Sequence, residues 1–155
     1  MAVHGVARST QDLDVITVAT DCLADATWDR VRSASVDVQI RRGGPDDPLA
    51  GVVRFRAPHE TPIDLVVGKS AWQSSIIDRA AATEIEDARV PVASAPDLIL
   101  LKLYAGGPLD AWDIVQLLAG PDRENLVGTV ETRLAALPSD CRELWTRIHN
   151  SAGPA

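Results

Sequence analysis

The sequence predicts an α+β fold, in which a small mixed sheet is flanked by helices and followed by a helical C-terminal part. Three observations predict this class. Apolar and polar residues alternate in short segments along the first half of the chain, which is typical of half-buried strands. After about residue 92 the apolar residues instead recur at the spacing of amphipathic helices. Runs rich in glycine and proline separate the segments and indicate turns.

The elements follow in order from the same patterns. In the first part we predict a strand at 12–18, a short amphipathic helix at 20–31, strands at 35–40, 52–56 and 63–67, a helix at 69–80 and one or two short strands within 83–92. Ser94 and Asp97 have the spacing of a capping box, so a helix is expected to begin near Ala95 and to end before Gly106. Three further helices are predicted at about 109–118, 122–136 and 139–150.

These elements indicate how the chain is organised. We expect an α/β core over residues 1–92, a helical part packed on that core over 93–150, and a disordered tail over 151–155. The strongest loop signal is the run at 41–48, which contains two glycines, two prolines and two aspartates. The chain shows no internal repeat.

Composition and charge exclude several classes of function. The chain has 155 residues, a formal net charge of −7 and a pI of about 4.8. An acidic surface repels phosphate backbones, which disfavours general DNA binding. The two cysteines lack the spacing of metal ligands, so reduced thiols in the cytoplasm are expected. The longest purely aliphatic run, at 98–101, is far too short to span a bilayer, so we expect no membrane partner.

Three aspartates are the candidate catalytic and metal-binding residues. Asp12 and Asp14 share one face of the first strand, while Leu13 and Val15 share the other. Neighbouring carboxylates repel each other unless a positive group lies between them, and Mg²⁺ prefers carboxylates together with water and phosphate oxygens. Asp64 is the one charge in an otherwise apolar strand, where an unpaired buried charge would be costly. The alternative for the first two is a solvated strand end.

The motifs resemble the nucleotidyltransferase fold of the DNA polymerase beta superfamily. The closer resemblance is to the abortive-infection type bacterial nucleotidyltransferase toxins and their uncharacterised relatives. The order and spacing of the whole set carry the resemblance, rather than any single motif. In order, the set is Gly5, Arg8-Ser9-Thr10, Asp12-x-Asp14, Asp64, Asp97-Leu98-Ile99-Leu100-Leu101-Lys102-Leu103-Tyr104-Ala105 and Asp113-Ile114-Val115-Gln116-Leu117-Leu118.

The resemblance implies a metal-dependent enzyme that moves a nucleoside monophosphate from an NTP to an RNA, protein or small-molecule acceptor. Mg²⁺ or Mn²⁺ would be the cofactor, and the protein would be a cytoplasmic toxin whose partner is an antitoxin or a second copy. The implied metal ligands and catalytic residues are Asp12, Asp14 and Asp64. The residues implied to lie near the nucleotide are Gly5, Arg8, Ser9, Lys102 and Asp113.

The N-terminus departs from the family pattern. Related proteins place a strand and a Gly-Gly turn immediately before the segment that corresponds to His4-Gly5. We therefore expect that this chain starts inside the motif, N-terminally truncated relative to the family. Because such a turn supplies backbone donors to the triphosphate, we also expect impaired activity, with a longer in-frame product as the active form.

Three basic residues each have two interpretations. Arg54 and Arg56 share a face of their strand, and we interpret them as a solvated edge, with phosphate contact near Asp64 as the alternative. Lys102 lies beside an apolar helical face. It either pairs with Asp113 of the next helix or contacts a phosphate or nucleotide, and the two roles are compatible.

Two further functions stay open on the sequence. One is a binding module with a catalytically impaired transferase fold that pairs with a partner chain. The other is a transferase of the antibiotic-modifying kind, whose acidic cleft would bind a cationic small molecule. The three aspartates favour an enzyme, whereas the missing glycine turn favours the binding module.

Overall fold

The computed structural model describes residue 4 and residues 12–85 and 87–151. Its contacts divide the chain into two compact units, Ser9–Asp78 and a second unit that combines Met1–Arg8 with Arg79–Ala155. The predicted α+β class, with helices towards the C-terminus, is confirmed. The contacts divide the chain before residue 92 because the hairpin at 81–92 groups with the helices that follow it.

The first unit is built on a four-stranded mixed sheet. The strands are β1 (Leu13–Thr17), β2 (Asp37–Arg42), β3 (Gly51–Arg56) and β4 (Ile63–Val67). Their order in the sheet is β1-β4-β3-β2, with β1 parallel to β4 and the other neighbours antiparallel. The alternating sequence segments form these strands because one face of each is apolar.

The prediction of one helix at 20–31 is wrong in detail. It forms two 3₁₀ turns, Thr20–Leu23 and Asp25–Trp28, before the short helix α1 (Asp29–Arg32). Side chains compete for the carbonyls that a continuous helix would use. The Thr27 hydroxyl donates to the Asp21 carbonyl at 2.7 Å, and the Trp28 indole N–H donates to the Cys22 carbonyl at 2.7 Å.

The helix α2 (Ala71–Asp78) follows β4 and starts two residues later than predicted. The side-chain oxygen of Gln73 accepts hydrogen bonds from the backbone N–H groups of Lys69 and Ser70, each at 2.9 Å. These bonds hold the two residues in a turn ahead of the helix and satisfy donors that would otherwise be orphaned.

The second unit contains a hairpin and four helices within the described residues. The elements are β5 (Ala81–Ile85), β6 (Ala88–Val92), α3 (Ala95–Ala105), α4 (Pro108–Leu118), α5 (Arg123–Leu134) and α6 (Ser139–Ser151). Ser94 caps α3, as predicted, and the helix ends where Gly106 adopts a left-handed φ of 68°. The helix α3 packs against α4, α5 and α6, and its buried Ile99, Leu100 and Leu103 lie in their shared core.

The C-terminal residues 151–155 were predicted to form a disordered tail. Ser151 closes α6, and residues 152–155 lie outside the described residues. In the part of the chain that the structure describes, no helix combines the length and the apolar character needed to cross a membrane.

Two glycines of the helical unit are expected to respond oppositely to alanine. Gly106→Ala should lower the free energy of unfolding by about 1 kcal/mol, because a Cβ disfavours the left-handed conformation. Gly128→Ala should raise it by about 0.5–1 kcal/mol, because Gly128 lies inside α5 and an added Cβ meets no atom within 4 Å. Urea unfolding followed by circular dichroism measures both values, and changes of equal sign would contradict this account.

Candidate functional site

One row of side chains crosses the sheet of the first unit. Asp14 on β1 is the register partner of Asp64 on β4, Asp64 is the partner of Arg54 on β3, and Arg54 is the partner of Gln39 on β2. Register partners in neighbouring strands present their side chains on the same face of the sheet. The row therefore places two carboxylates and a guanidinium side by side. A shared metal site would require Asp14 and Asp64 to lie on one face of the sheet, and they do.

Arg54 binds Asp64 through both ends of its fork. Its Nε donates to Asp64 Oδ1 at 2.6 Å, and its Nη2 donates to Asp64 Oδ2. Two parallel bonds of this kind are among the stronger polar contacts in proteins. The hydrogen bond from Arg54 lowers the pKa of Asp64, although burial acts in the opposite direction, and the charge of Arg56 adds to the lowering.

This contact corrects one interpretation of the sequence. Arg54 is not on a solvated edge, because β3 lies between β4 and β2 and the guanidinium faces Asp64. The hydrogen bond and charge of Asp64 raise the pKa of Arg54, and the charges of Asp12 and Asp14 add to the effect. All three predicted aspartates therefore act electrostatically on one guanidinium. Arg56 remains exposed at the end of β3.

The residue types of the row fit a magnesium ion, but a cation at Asp64 would compete with Arg54. Carboxylate oxygens are the ligands that Mg²⁺ prefers, and Asp14 and Asp64 are nearest neighbours on one face. Over residues 12–85 and 87–151, no group of three or more His, Cys, Asp or Glu is arranged so that it could hold a metal ion. The three-aspartate metal site thus stays a prediction, and the direct pairing of Arg54 with Asp64 is the feature that sequence reasoning did not predict.

The predicted pair between Lys102 and Asp113 is confirmed in the helical unit. Lys102 Nζ donates to Asp113 Oδ2 at 2.6 Å and to Asp110 Oδ1 at 3.1 Å. Asp113 is fully buried, and the Lys102 side chain is 13% exposed, so the contact lies largely out of water. Sequence reasoning overlooked Asp110, although its spacing of three residues from Asp113 places both on one face of α4. Nucleotide contact by Lys102 remains a prediction.

A second buried carboxylate, Asp97, anchors the start of α3. Its oxygens accept from Arg79 at 2.6 and 3.2 Å, from Arg133 at 2.9 Å and from the Ser94 hydroxyl at 2.8 Å. The sequence indicated the Ser94 cap but neither arginine, since these lie 18 and 36 residues away and no local spacing connects them. This cluster links α3 to Arg133 of α5 and to Arg79, which precedes β5.

The Asp97 cluster predicts a dependence of stability on acid. Burial raises the pKa of Asp97, but the bonds from Arg79 and Ser94 and the charge of Arg133 outweigh it, so the folded-state pKa is lowered. The resulting stabilisation is complete above the unfolded pKa, near 3.9, and is lost as the pH falls towards the folded value. We expect Asp97→Asn to be less stable than the wild type at pH 7 by about 2–4 kcal/mol.

Urea unfolding between pH 7 and pH 2.5 measures this dependence. The difference between the wild type and Asp97→Asn should shrink as the pH falls, because the protonated wild type loses the same charge. Asp122→Asn is the control, since Asp122 is an exposed carboxylate that precedes α5. A difference that stays constant with pH would show that the charge of Asp97 does not stabilise the fold.

The predicted phosphate-binding residues Gly5, Arg8 and Ser9 lie outside the described residues. His4 is described, and its Nε2 donates to the Ala93 carbonyl at 2.8 Å. Local sequence patterns do not indicate this contact, because it joins residues 89 positions apart.

The opposite face of the sheet has a different character. An open cleft of about 490 Å³ lies there, lined mainly by apolar side chains such as Val15, Trp28, Phe55 and Leu65. Such a lining offers little to bind phosphates or cations, which need charged or hydrogen-bonding groups. The face that carries Asp14, Asp64 and Arg54 is therefore the better candidate for chemistry.

Comparisons with known proteins add no further assignment. A scan of the sequence against models of protein families finds no match, and a search of curated proteins finds none that is similar in sequence.

Proposed function

We propose that this chain is a metal-dependent nucleotidyltransferase that moves a nucleoside monophosphate from an NTP to a hydroxyl of an RNA, protein or small-molecule acceptor. The observation that carries the proposal is the register pairing of Asp14 with Asp64 on one sheet face. Two carboxylates on adjacent strands repel each other. A divalent cation, with the phosphates that accompany it, would offset this repulsion.

The chain's own residues have separate roles in this reaction. Asp14 and Asp64, with Asp12 two residues before the first, would hold Mg²⁺ or Mn²⁺. The bound cation would stabilise charge on the phosphates and lower the pKa of the attacking hydroxyl. Asp64 would accept the proton of the acceptor hydroxyl while the hydroxyl oxygen bonds to the α-phosphorus. The bond from that phosphorus to the bridging oxygen breaks, and pyrophosphate leaves with the electron pair.

A binding module without catalytic activity is the second candidate, and one observation favours it. Arg54 already neutralises Asp64 through both carboxylate oxygens, as it would in a sheet that needs no cation. A buried carboxylate paired in this way can serve the fold alone. The two candidates differ in whether the chain transfers nucleotide.

The test is a transfer assay on the purified chain. Each of the four NTPs, labelled at the α-phosphate, is incubated with Mg²⁺ or Mn²⁺ and with cellular RNA, cellular protein or cationic small molecules. We expect one acceptor class to become labelled, and only when the cation is present. NTP labelled at the γ-phosphate should leave the acceptor unlabelled, because a nucleotidyl transfer releases the β- and γ-phosphates together. Absence of transfer to all three acceptor classes would favour the binding module.

A further inference from the structure

The pairing of Arg54 with Asp64 leaves two side chains with very different freedom. The Asp64 side chain is 12% exposed, whereas the Arg54 side chain is 41% exposed. The carboxylate is therefore fixed within the sheet, while the longer guanidinium side chain can turn into solvent. Of the two partners, only Arg54 is able to open the contact without disturbing β4.

The contact also determines what else can bind Asp64. Both of its oxygens accept N–H groups from Arg54, so a cation at either oxygen would lie against a positive guanidinium. Like charges at contact distance repel strongly where water is partly excluded. A cation and Arg54 therefore compete for Asp64.

We propose that Arg54 is a positioning residue that holds Asp64 when no cation is bound, gives way to a divalent cation, and then binds a phosphate oxygen of the nucleotide. This inference rests on the proposed function and concerns the regulation of the same site. Arginine suits both states, because its planar fork matches a carboxylate and a phosphate equally well. Arg54 is the register partner of Asp64, so a guanidinium that turns away from the carboxylate stays close to the row, where the nucleotide phosphates would lie.

The proposal predicts opposite effects on two ligands when Arg54 is replaced. Arg54→Gln should bind Mn²⁺ at least about tenfold more tightly than the wild type, because no guanidinium competes for Asp64. The same variant should bind a non-hydrolysable NTP analogue, with Mn²⁺ saturating, about tenfold more weakly, because the phosphate contact is lost. A purely structural role for Arg54 would not separate the two affinities.

Isothermal titration calorimetry on the full chain measures both affinities. The electron paramagnetic resonance spectrum of Mn²⁺ distinguishes free from bound cation independently. Arg56→Gln is the matched control, since it removes an equal charge from the same strand face without touching the fork on Asp64. Arg54→Lys keeps the charge but not the fork and should give intermediate affinities. It also replaces Arg54→Gln if thermal unfolding shows that the glutamine variant does not fold.

The outcomes separate this inference from the function on which it rests. Mn²⁺ binding by Arg54→Gln that is no tighter than by Arg56→Gln would overturn the competition while leaving the transferase proposal intact. Unchanged binding of the NTP analogue would overturn the phosphate contact. Absence of Mn²⁺ and nucleotide binding in the wild type and every variant would overturn the transferase proposal itself, and this inference with it.

Discussion

Replacing Asp64 by asparagine is expected to reduce nucleotidyl transfer by about 10³-fold. A positioned general base contributes about 10²–10⁴-fold, and an amide neither accepts the proton nor binds a cation as a carboxylate does. Asp14→Asn should reduce transfer to a similar extent, since Asp14 is the register partner of Asp64 on the same face. Initial rates with α-labelled NTP and the acceptor identified for the wild type measure both effects.

Controls separate loss of chemistry from loss of structure. Asp37→Asn removes an equal charge from an exposed position on β2 and should transfer nucleotide at close to the wild-type rate. Asp64→Asn also removes the charged partner of Arg54 and can therefore lower stability. The melting temperature of each variant is measured alongside its transfer rate. If folded Asp64→Asn kept transfer within about tenfold of the wild type, the base would have to be another residue, given the contribution expected of a base.

Much of the fold could be predicted because local patterns determine it. Ser94 and Gly106 mark the two ends of α3 by chemistry that depends on a few neighbouring residues. The strands were indicated by alternation, which reports burial of one face. The segment at 20–31 could not be predicted as 3₁₀ turns. The Thr27 hydroxyl and the Trp28 indole each donate to a carbonyl six residues earlier in the chain. Helical periodicity reflects burial and does not indicate such side-chain hydrogen bonds.

The candidate site could be predicted only in part, because strand register decides which residues meet. Arg54 and Asp64 are equidistant from His59, a residue with a φ of 67° in the turn between β3 and β4. A register shifted by one residue would pair Arg54 with Ile63 or Leu65 and place its side chain on the other face from Asp64. The sequence located the turn but not this register, so it indicated the carboxylates but not the direct pairing of Arg54 with Asp64.

Replacing Lys102 by methionine is expected to lower the free energy of unfolding by about 3–5 kcal/mol, because removing one member of a buried ion pair takes away a charge that stabilises the other. Asp113 is fully buried, and the ammonium of Lys102 is its partner at 2.6 Å. For a chain of this length the melting temperature should fall by roughly 10 °C. Lys69→Met is the control, since Lys69 is exposed and its Nζ donates to the Pro45 carbonyl, and it should change stability by less than about 0.5 kcal/mol.

A double variant distinguishes the two roles of Lys102. Lys102→Met combined with Asp113→Leu removes both buried charges, and apolar replacements of a buried pair are often neutral or stabilising. The double variant should therefore recover most of the lost stability, and the coupling follows from the double-mutant cycle. If its binding of an NTP analogue then equals that of the wild type, Lys102 stabilises the fold and does not contact nucleotide. If binding is lost although the fold is restored, the pair of Lys102 and Asp113 contributes to nucleotide binding as well as to stability. Wild-type stability in Lys102→Met alone would contradict the pair as a stabilising contact.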